Sequence, residues 1–326
     1  MAFGFICEKN KKMVCQGVMF TGKERGLRHI INAMERLGIY FFFDKEGIVD
    51  EYVDYVLENI LRNVKKLIVV CNGILSDEGR KKFEKYTNYI IVRENKGFDV
   101  WAYKTALDSE GWEELVKYDE VILMNYTIMG PVYSLEEMFL EMTKKKNLDF
   151  WGITKCFRED SPVAQEMWKN PYEYIPEHIQ SSFMVFRRSI LSADIFQKYW
   201  NEMPMINSYY ESGCRHEQFI TKYFADHGFK WDCYTNYDDL DEKAYGCCPL
   251  ITAPLEVVKK RKSPFFKRRT FFTMKEEYNA TTPFIKEFLD FLENETSYDT
   301  SLVYPNMIRN YNQRDLAENF LLFHVI

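Results

Sequence analysis

The sequence lacks the long apolar runs of a membrane protein. Nowhere in its 326 residues does an uninterrupted hydrophobic stretch approach the roughly 18 to 20 residues that a membrane-spanning helix needs. The opening run Met1–Cys7 is cut short by the charge of Glu8. We therefore expect a cytoplasmic protein, and we leave open a peripheral contact with the inner face of the cell membrane.

The eight cysteines have no recognisable spacing. The two cysteines Cys247 and Cys248 are adjacent, and no pair has the C-x-x-C separation of a zinc or redox site. The sequence therefore predicts neither a zinc site nor a disulfide framework. We expect all of the cysteines to be reduced thiols, at positions 7, 15, 71, 156, 214, 233, 247 and 248.

Several motifs of known enzyme classes are incomplete. Gly17–Lys23 has the G-x-x-x-x-G-K spacing of a phosphate-binding loop, but Glu24 replaces the Ser or Thr that would hold magnesium. His216 and Glu217 begin as a zinc protease motif does, yet Ile220 stands where the second histidine belongs. No G-x-G-x-x-G follows an apolar run, which argues against a dinucleotide-dependent oxidoreductase.

The remaining composition is that of a globular protein. Apolar residues make up 46% and charged residues 28%, which excludes a disordered or collagenous chain. The net charge is −6, so the basic run Lys259–Arg269 is a local feature of an acidic protein. A long polyanion would be repelled, and no nucleic-acid partner is expected. A single phosphate group or an anionic membrane surface suits that run better.

Alternating strands and helices are predicted between about residues 37 and 155. Apolar runs are separated by amphipathic segments, as in a mostly parallel α/β sheet flanked by helices. Helices are predicted after Asp50, from Ser76, near Asp99 and after Ser134, whose Glu137 completes a capping box. The predicted strands are Ile39–Phe43, Leu67–Cys71, Tyr89–Val92, Val121–Met124 and Phe150–Ile153.

The second half is less regular. Residues 155–178 are predicted to form a loop, Ser182–Phe186 a strand, and a helix leads from Ser189 to Trp200. Another helix ends at Gly228. Thr282 and Pro283 open a last helix that runs through Leu292.

Short polar side chains follow four of the predicted strands. Because ligands bind beyond the carboxyl ends of strands in open α/β sheets, these side chains are expected to surround one crevice. The alternative is that Asn and Asp are common in turns. The residues concerned are Asp44, Asn72, Asn95 and Asn125.

An ordered series of motifs indicates a family. In Arg93–Asp99, Gly97 lies between a strand and a helix N-terminus, where the backbone can approach a diphosphate or a ribose. Together with the segments that follow it, this turn resembles the rhamnan synthesis protein F family of glycosyltransferases. The likeness extends from about residue 37 onward and includes Val121–Pro131, Asp149–Gly152, His178–Phe183, Glu217–Gly228 and Pro264–Arg269.

The resemblance implies a glycosyltransferase A-type, Rossmann-like fold. It also implies a nucleotide-sugar donor, with dTDP-L-rhamnose favoured, and a glycan or lipid-linked oligosaccharide acceptor of a growing cell-surface polysaccharide. The expected domains are an N-terminal extension 1–36, a catalytic domain 37–275 divided into a donor half 37–155 and an acceptor half 156–275, and a helical C-terminal extension 276–326.

The resemblance also assigns residues. Asn95, Gly97 and Asp99 fall at the donor site, and Asn125 and Thr127 fall where this fold keeps its metal-binding acids. His178 and Gln180 fall on the sugar side. Trp151 could stack on a sugar, but packing in the core is the favoured alternative for a buried Trp. Asp44 and Asn72 complete the expected donor crevice.

One departure concerns the metal. The family pattern has an acid where this sequence has Tyr126, and hard divalent cations prefer carboxylate oxygens. We therefore expect no required Mg²⁺ or Mn²⁺. The diphosphate would instead meet Lys267, Arg268 and Arg269, with Lys259–Lys262 as further candidates.

Sugar transfer needs a base for the acceptor hydroxyl. The resemblance places Glu217 there, with Glu211 as the second candidate, in an inverting rhamnosyltransferase. Glu217 could instead be an ordinary acid of a first helical turn. The competing class is a non-catalytic sugar-binding partner in polysaccharide assembly. Tyr126 supports it, because this residue replaces the acid of the family pattern.

Overall fold

A computed structural model describes residues 33–240, 248–271 and 285–311. Most of the predicted N-terminal extension lies outside these residues, as do the Gly17–Lys23 motif and the predicted helix start at Thr282 and Pro283. The strands are β1 (Arg36–Phe43), β2 (Lys66–Asn72), β3 (Tyr89–Arg93), β4 (Glu120–Asn125), β5 (Ile128–Met129), β6 (Phe150–Gly152), β7 (Lys155–Cys156), β8 (His178–Ile179), β9 (Phe183–Arg187), β10 (Trp231–Cys233) and β11 (Phe266–Lys267).

A seven-stranded mixed sheet forms the centre, in the order β10-β6-β9-β4-β1-β2-β3. β9 is antiparallel to both of its neighbours, and the other described pairs in this sheet are parallel. The predicted mostly parallel sheet is therefore confirmed. Two short antiparallel pairs, β5 with β11 and β7 with β8, lie outside it.

The central strand β1 is buried on both faces. Successive side chains of a strand point to opposite faces, so an almost continuous apolar run is what such a strand requires. Tyr40 and Phe42 belong to one hydrophobic core, whereas Leu37, Ile39 and Phe41 belong to the other. Helices cover both faces of the sheet and complete these two cores.

The helices agree with the predicted alternation, with local differences. The predicted loop 155–178 contains β7, a helix over Pro162–Trp168 and the first residue of β8. The predicted helix from Ser189 is divided in two. The helices are α1 (Glu51–Leu61), α2 (Asp77–Glu84), α3 (Phe98–Glu110), α4 (Trp112–Leu115), α5 (Leu135–Lys144), α6 (Pro162–Trp168), α7 (Arg188–Leu191), α8 (Asp194–Asn201), α9 (Tyr209–Ser212), α10 (Gln218–Asp226), α11 (Pro249–Thr252), α12 (Ile285–Glu295) and α13 (Tyr304–Asn310).

Helix starts follow the predicted capping residues where their side chains are not needed elsewhere. Ser76 and Ser134 accept hydrogen bonds from the backbone N–H groups of Gly79 and Glu137. Asp50 stands at the N-cap of α1 but makes no side-chain cap. Its carboxylate instead binds Arg309 of α13, at 2.7 Å. A tertiary ion pair has replaced the local cap.

The chain before α10 is wound more widely than an α-helix. Gly213–Glu217 forms a π-helical turn that continues directly into α10. Such turns are rare and occur often at functional sites. The turn places Glu217 at the junction of the two helical geometries.

Candidate active site

A cavity of about 970 Å³ opens at the carboxyl ends of β1 and β4. One part of its lining comprises the ends of the sheet strands and the loop before α3. Another part comprises Ser181, the π-helical turn with Glu217, and the segment from Lys267 to Arg269. Parts of 156–175 and 248–252 complete the wall. The cavity therefore lies where ligands bind in open α/β sheets.

The loop before α3 depends on Gly97. Its φ of 77° lies in the left-handed region, and a Cβ there would collide with the side chain of Trp101. The next residue, Phe98, is also left-handed, with φ 54°, and it lines the cavity. Asn95 stands exposed at the rim. The N-terminus of the 13-residue helix α3 thus borders the cavity, and there the Asp99 carboxylate accepts the Val100 N–H, at 3.0 Å.

Asn125 and Thr127 form a small hydrogen-bonded unit at the end of β4. The amide oxygen of Asn125 accepts hydrogen bonds from the Thr127 N–H and hydroxyl, at 3.1 and 2.6 Å. The Asn125 amide donates to the Asp99 carboxylate, at 3.2 Å. All three residues line the cavity. The oxygen that a metal would need at Asn125 is already engaged.

Tyr126 occupies the position of the expected acid and is surrounded by rings and a cation. Its ring packs edge-on against Phe41 and Phe43, and the Arg268 guanidinium lies 4.8 Å from its centre. Among the described residues, no three His, Cys, Asp or Glu side chains are grouped so that they could hold a metal ion. The donor set at this point does not fit a divalent cation.

Two carboxylates, Asp99 and Glu217, line the cavity. Asp99 accepts from its own helix at Val100 N–H and from the Ser212 hydroxyl, at 3.0 and 3.3 Å. Burial, together with the negative charge of Glu217, raises the pKa of Asp99 to about 6.

Glu217 has the opposite shift. Burial alone would raise its pKa, but the charge of Lys267 and hydrogen bonds from the Ser181 N–H, at 2.9 Å, and hydroxyl outweigh it, so the pKa of Glu217 is lowered. Both Ser181 bonds go to Oε2. Within the described residues no hydrogen bond reaches Oε1. Glu217 is therefore ionised at neutral pH, with one oxygen available to a ligand.

Lys267 is brought to the site by β11. The antiparallel pairing with β5 sets Lys267 opposite Ile128, and the Lys267 amine lies 3.5 Å from the Thr127 hydroxyl. Burial lowers the pKa of Lys267, and the charges of Glu217 and Asp99 oppose that shift. This cation thus lies in the field of both carboxylates.

The other predicted basic residues divide into two groups. Arg268 and Arg269 line the cavity, and Arg268 also donates to Asn306 of α13, at 3.2 Å. The run Lys259–Lys262 lies outside the cavity. Its members contact acids or a ring, with Lys259 on Glu295 and Arg261 on Asp239.

Two residues predicted on the sugar side line the cavity. His178 is buried and its Nδ1–H donates to the Pro176 carbonyl, at 2.6 Å, while burial lowers its pKa. Gln180 accepts from the Thr154 hydroxyl, at 2.7 Å. Trp151 is fully buried elsewhere, and its indole N–H donates to Glu120. The structure therefore does not bring Trp151 to the cavity, because packing in the core uses its whole surface.

Asp44 and Asn72 are likewise not among the cavity-lining residues. Asp44 accepts from two N–H groups of its own turn and binds Arg309, at 2.7 Å. Asn72 bridges the Phe98 carbonyl and the Arg93 guanidinium. These two polar strand ends shape the loops around the site. Glu211, the second candidate base, lines a neighbouring cavity instead.

The cysteine prediction was wrong at one pair. Cys156 and Cys248 form a disulfide with a Cα–Cα distance of 4.9 Å, and both line the cavity. Cys71, Cys214 and Cys233 are buried free thiols. The paired cysteines are 92 residues apart, so no local spacing could reveal them.

Sequence reasoning also missed two serines of the site. Ser181 lies within the motif His178–Phe183 but was assigned no role there, although it holds Glu217. Ser212 contacts Asp99, and no signal in the sequence pointed to it.

Comparison with known proteins identifies the family. Residues 67–326 match the model of the family described as rhamnan synthesis protein F. This chain belongs to the rhamnan synthesis protein F family. Within the described residues of this family member, no helix combines the length and apolarity needed to cross a bilayer.

More distant similarities were also found. An uncharacterised protein, y4gN, of Sinorhizobium fredii is 23% identical over 172 residues, which cover 52% of this chain. The match spans 41% of that relative's length.

Two solved structures share low similarity with this rhamnan synthesis protein F family member. One is glucosyl-3-phosphoglycerate synthase of Mycobacterium tuberculosis with Mn²⁺, UDP-glucose and phosphoglyceric acid, at 12% identity and TM-score 0.32, covering 50% of this chain and 60% of that one. The other is 4-diphosphocytidyl-2C-methyl-D-erythritol synthase of Anaerococcus prevotii, at 14% identity and TM-score 0.36. That match covers 63% of this chain and 88% of the other.

Proposed function

We propose that this protein is an inverting glycosyltransferase that moves a sugar from a nucleotide donor to a glycan acceptor. The observation that carries the proposal is Glu217, an ionised carboxylate that lines the same cavity as the loop before α3. L-rhamnose, carried by dTDP, is the favoured donor sugar because of the family to which the chain belongs. The acceptor is a cell-surface polysaccharide or its lipid-linked precursor.

In the proposed reaction the acceptor hydroxyl attacks the anomeric carbon. Its proton passes to Glu217 Oε1, and the bond between the anomeric carbon and the diphosphate oxygen breaks. The nucleoside diphosphate leaves with the electron pair of that bond. A lowered pKa makes Glu217 a weaker base, but it keeps the side chain in the ionised form that can accept the proton.

Fixed positive groups receive the leaving diphosphate. Lys267 and Arg269 line the cavity, where their positive charges can stabilise the diphosphate. Asp99 and Asn125 are suited to hydrogen bonds with hydroxyls of the donor. Because the residues around Tyr126 do not fit a divalent cation, we propose a transfer that needs no metal. A chelator that abolishes turnover, with manganese restoring it, would contradict this part.

The Glu217→Gln variant tests the base. Transfer should fall by about a hundredfold or more, because the proton acceptor is lost, while donor binding persists. The measurements are product formation with dTDP-rhamnose and calorimetry with the same donor. Glu113→Gln is the matched control, since Glu113 is an exposed acid in the first turn of α4. Full activity in Glu217→Gln would remove Glu217 from the mechanism.

A non-catalytic sugar-binding partner is the second candidate. The observation that favours it is Tyr126 in place of an acid. Binding of nucleotide sugars without product, across a panel of donors and acceptors, would support this alternative over the transferase.

A further inference from the structure

A second cavity of about 780 Å³ lies directly beside the first. The segment 204–215 separates the two and contributes to both. Met205, Asn207 and Tyr209 line the first cavity, whereas Ser208 and Tyr210 line the second. The two cavities are therefore separated by the thickness of a single segment.

The helical chain that carries Glu217 also belongs to both cavities. Gly213 and Glu217 line the first cavity, while Arg215 and Phe219 line the second. Because residues two positions apart point in different directions on a helix, one helical segment can shape both spaces. A ligand extended across the rim would remain close to the proposed base.

Four aromatic residues line the second cavity: Tyr199, Tyr210, Phe219 and Tyr223. Phe219 stacks against Tyr199 with a centroid distance of 6.4 Å and an interplanar angle of 15°, and Tyr223 lies 5.3 Å from Phe219. At the rim, Tyr209 and Tyr210 are 58% and 48% exposed, and their centroids are 6.0 Å apart. Tyr209 belongs to the first cavity and Tyr210 to the second. This exposed pair forms an aromatic bridge from one cavity to the other.

The charges of the second cavity suit a neutral ligand. Its charged lining residues are two acids, Glu202 and Glu211, and two bases, Lys169 and Arg215. A phosphate or a polyanion would find no excess of positive charge there. Apolar ring faces beside mixed hydrogen-bonding groups match a carbohydrate, which has apolar C–H faces and many hydroxyls.

We propose that the second cavity binds the inner sugars of an oligosaccharide acceptor whose terminal sugar lies in the first cavity beside Glu217. The inference rests on the proposed function, because the proposed role of Glu217 places the terminal sugar in the first cavity. Tyr210 stacks on an inner sugar, and Glu211 and Arg215 bind its hydroxyls. The aromatic bridge positions the acceptor across the rim between the two cavities.

The test compares binding of an oligorhamnoside and of methyl rhamnoside by calorimetry. Tyr210→Ala should weaken oligorhamnoside binding by about threefold to tenfold and leave methyl rhamnoside binding unchanged. Tyr210→Phe should retain oligorhamnoside binding because it keeps the ring. Tyr89→Ala is the matched control: Tyr89 is 53% exposed, on β3, and lines neither cavity.

The outcomes separate this inference from the proposed function. Equal oligorhamnoside binding by wild type and Tyr210→Ala would overturn the second-cavity site, as would a wild-type protein that binds the oligorhamnoside no better than methyl rhamnoside. Loss of binding in Tyr210→Phe as large as in Tyr210→Ala would overturn the stacking role. Transfer to methyl rhamnoside, measured in parallel, tests the proposed function alone, since that acceptor does not reach the second cavity.

Discussion

Two parts of the first cavity's lining are held in place by different means. On the sheet side, Asn125 accepts hydrogen bonds from Thr127, two residues on, and Asp99 accepts one from the adjacent Val100 N–H. In the other part, Glu217 is held by Ser181 from another segment, and Lys267 by the pairing of β11 with β5. The comparison teaches that half of this site depends on contacts between residues far apart in sequence.

The two carboxylates show the chemical result of this difference. Asp99 is buried beside another negative charge, and its pKa is raised. Glu217 is buried beside a cation and two donors, and its pKa is lowered. Burial acts in the same direction on both, so the partners decide the sign.

Breaking the Cys156–Cys248 disulfide should give the largest effect on the wall of the cavity. The bond joins residues 92 positions apart, and its loss should lower the free energy of unfolding by about 4 kcal/mol. The measurement is chemical unfolding of wild type with and without dithiothreitol.

The double variant Cys156→Ser with Cys248→Ser supplies the control. Reductant should not destabilise it further, because it has no bond to break. A wild-type protein with the same stability in both buffers would show that this wall is held by other contacts.

Stability measured against pH should distinguish the two carboxylates. The pKa of Asp99 is about 6 in the folded protein and near 3.8 in the unfolded chain, so the folded state binds the proton more tightly. The free energy of unfolding of the wild type therefore falls as the pH rises from about 4 to 6, because Asp99 has to give up its proton in the folded state. Asp99→Asn should remove that loss, which amounts to about 3 kcal/mol at neutral pH.

Glu217→Gln should show the opposite dependence. The pKa of Glu217 is lowered by folding, so its contribution to stability is present above the ordinary pKa and is lost as the pH falls. Urea unfolding of both variants at several pH values makes the comparison. Parallel curves for Asp99→Asn and wild type would contradict the raised pKa of Asp99.

Gly97→Ala should disturb the sheet side by a smaller amount. The left-handed φ and the collision with Trp101 together should lower the free energy of unfolding by about 2 kcal/mol. Gly228→Ala is the matched control, because Gly228 has φ 89° but no atom within 4 Å of the position that a Cβ would take, so only the backbone cost of about 1 kcal/mol applies. Thermal unfolding of the two variants measures their loss of stability. An equal loss in Gly97→Ala and Gly228→Ala would rule out the collision with Trp101.

Periodicity predicted most of the sheet because each strand has to bury its own side chains. The run from Ile39 to Phe43 indicates a central strand, since apolar residues on both faces fit no other position. The same reasoning placed Asn95 and Asn125 at one crevice. It failed for Asp44 and Asn72, whose polar groups are engaged by Arg309 and Arg93 from other segments.

The sequence alone determined the alternating α/β fold, the glycine turn before α3 and the motif that contains Glu217. These features depend on local spacing and backbone conformation, which can be predicted from residues that are close together in the sequence. Only the tertiary structure decided that Lys267 and Ser181 meet Glu217, that Trp151 is used in the core, and that Cys156 pairs with Cys248. Those contacts join residues far apart in the chain, and their energies depend on distance in space.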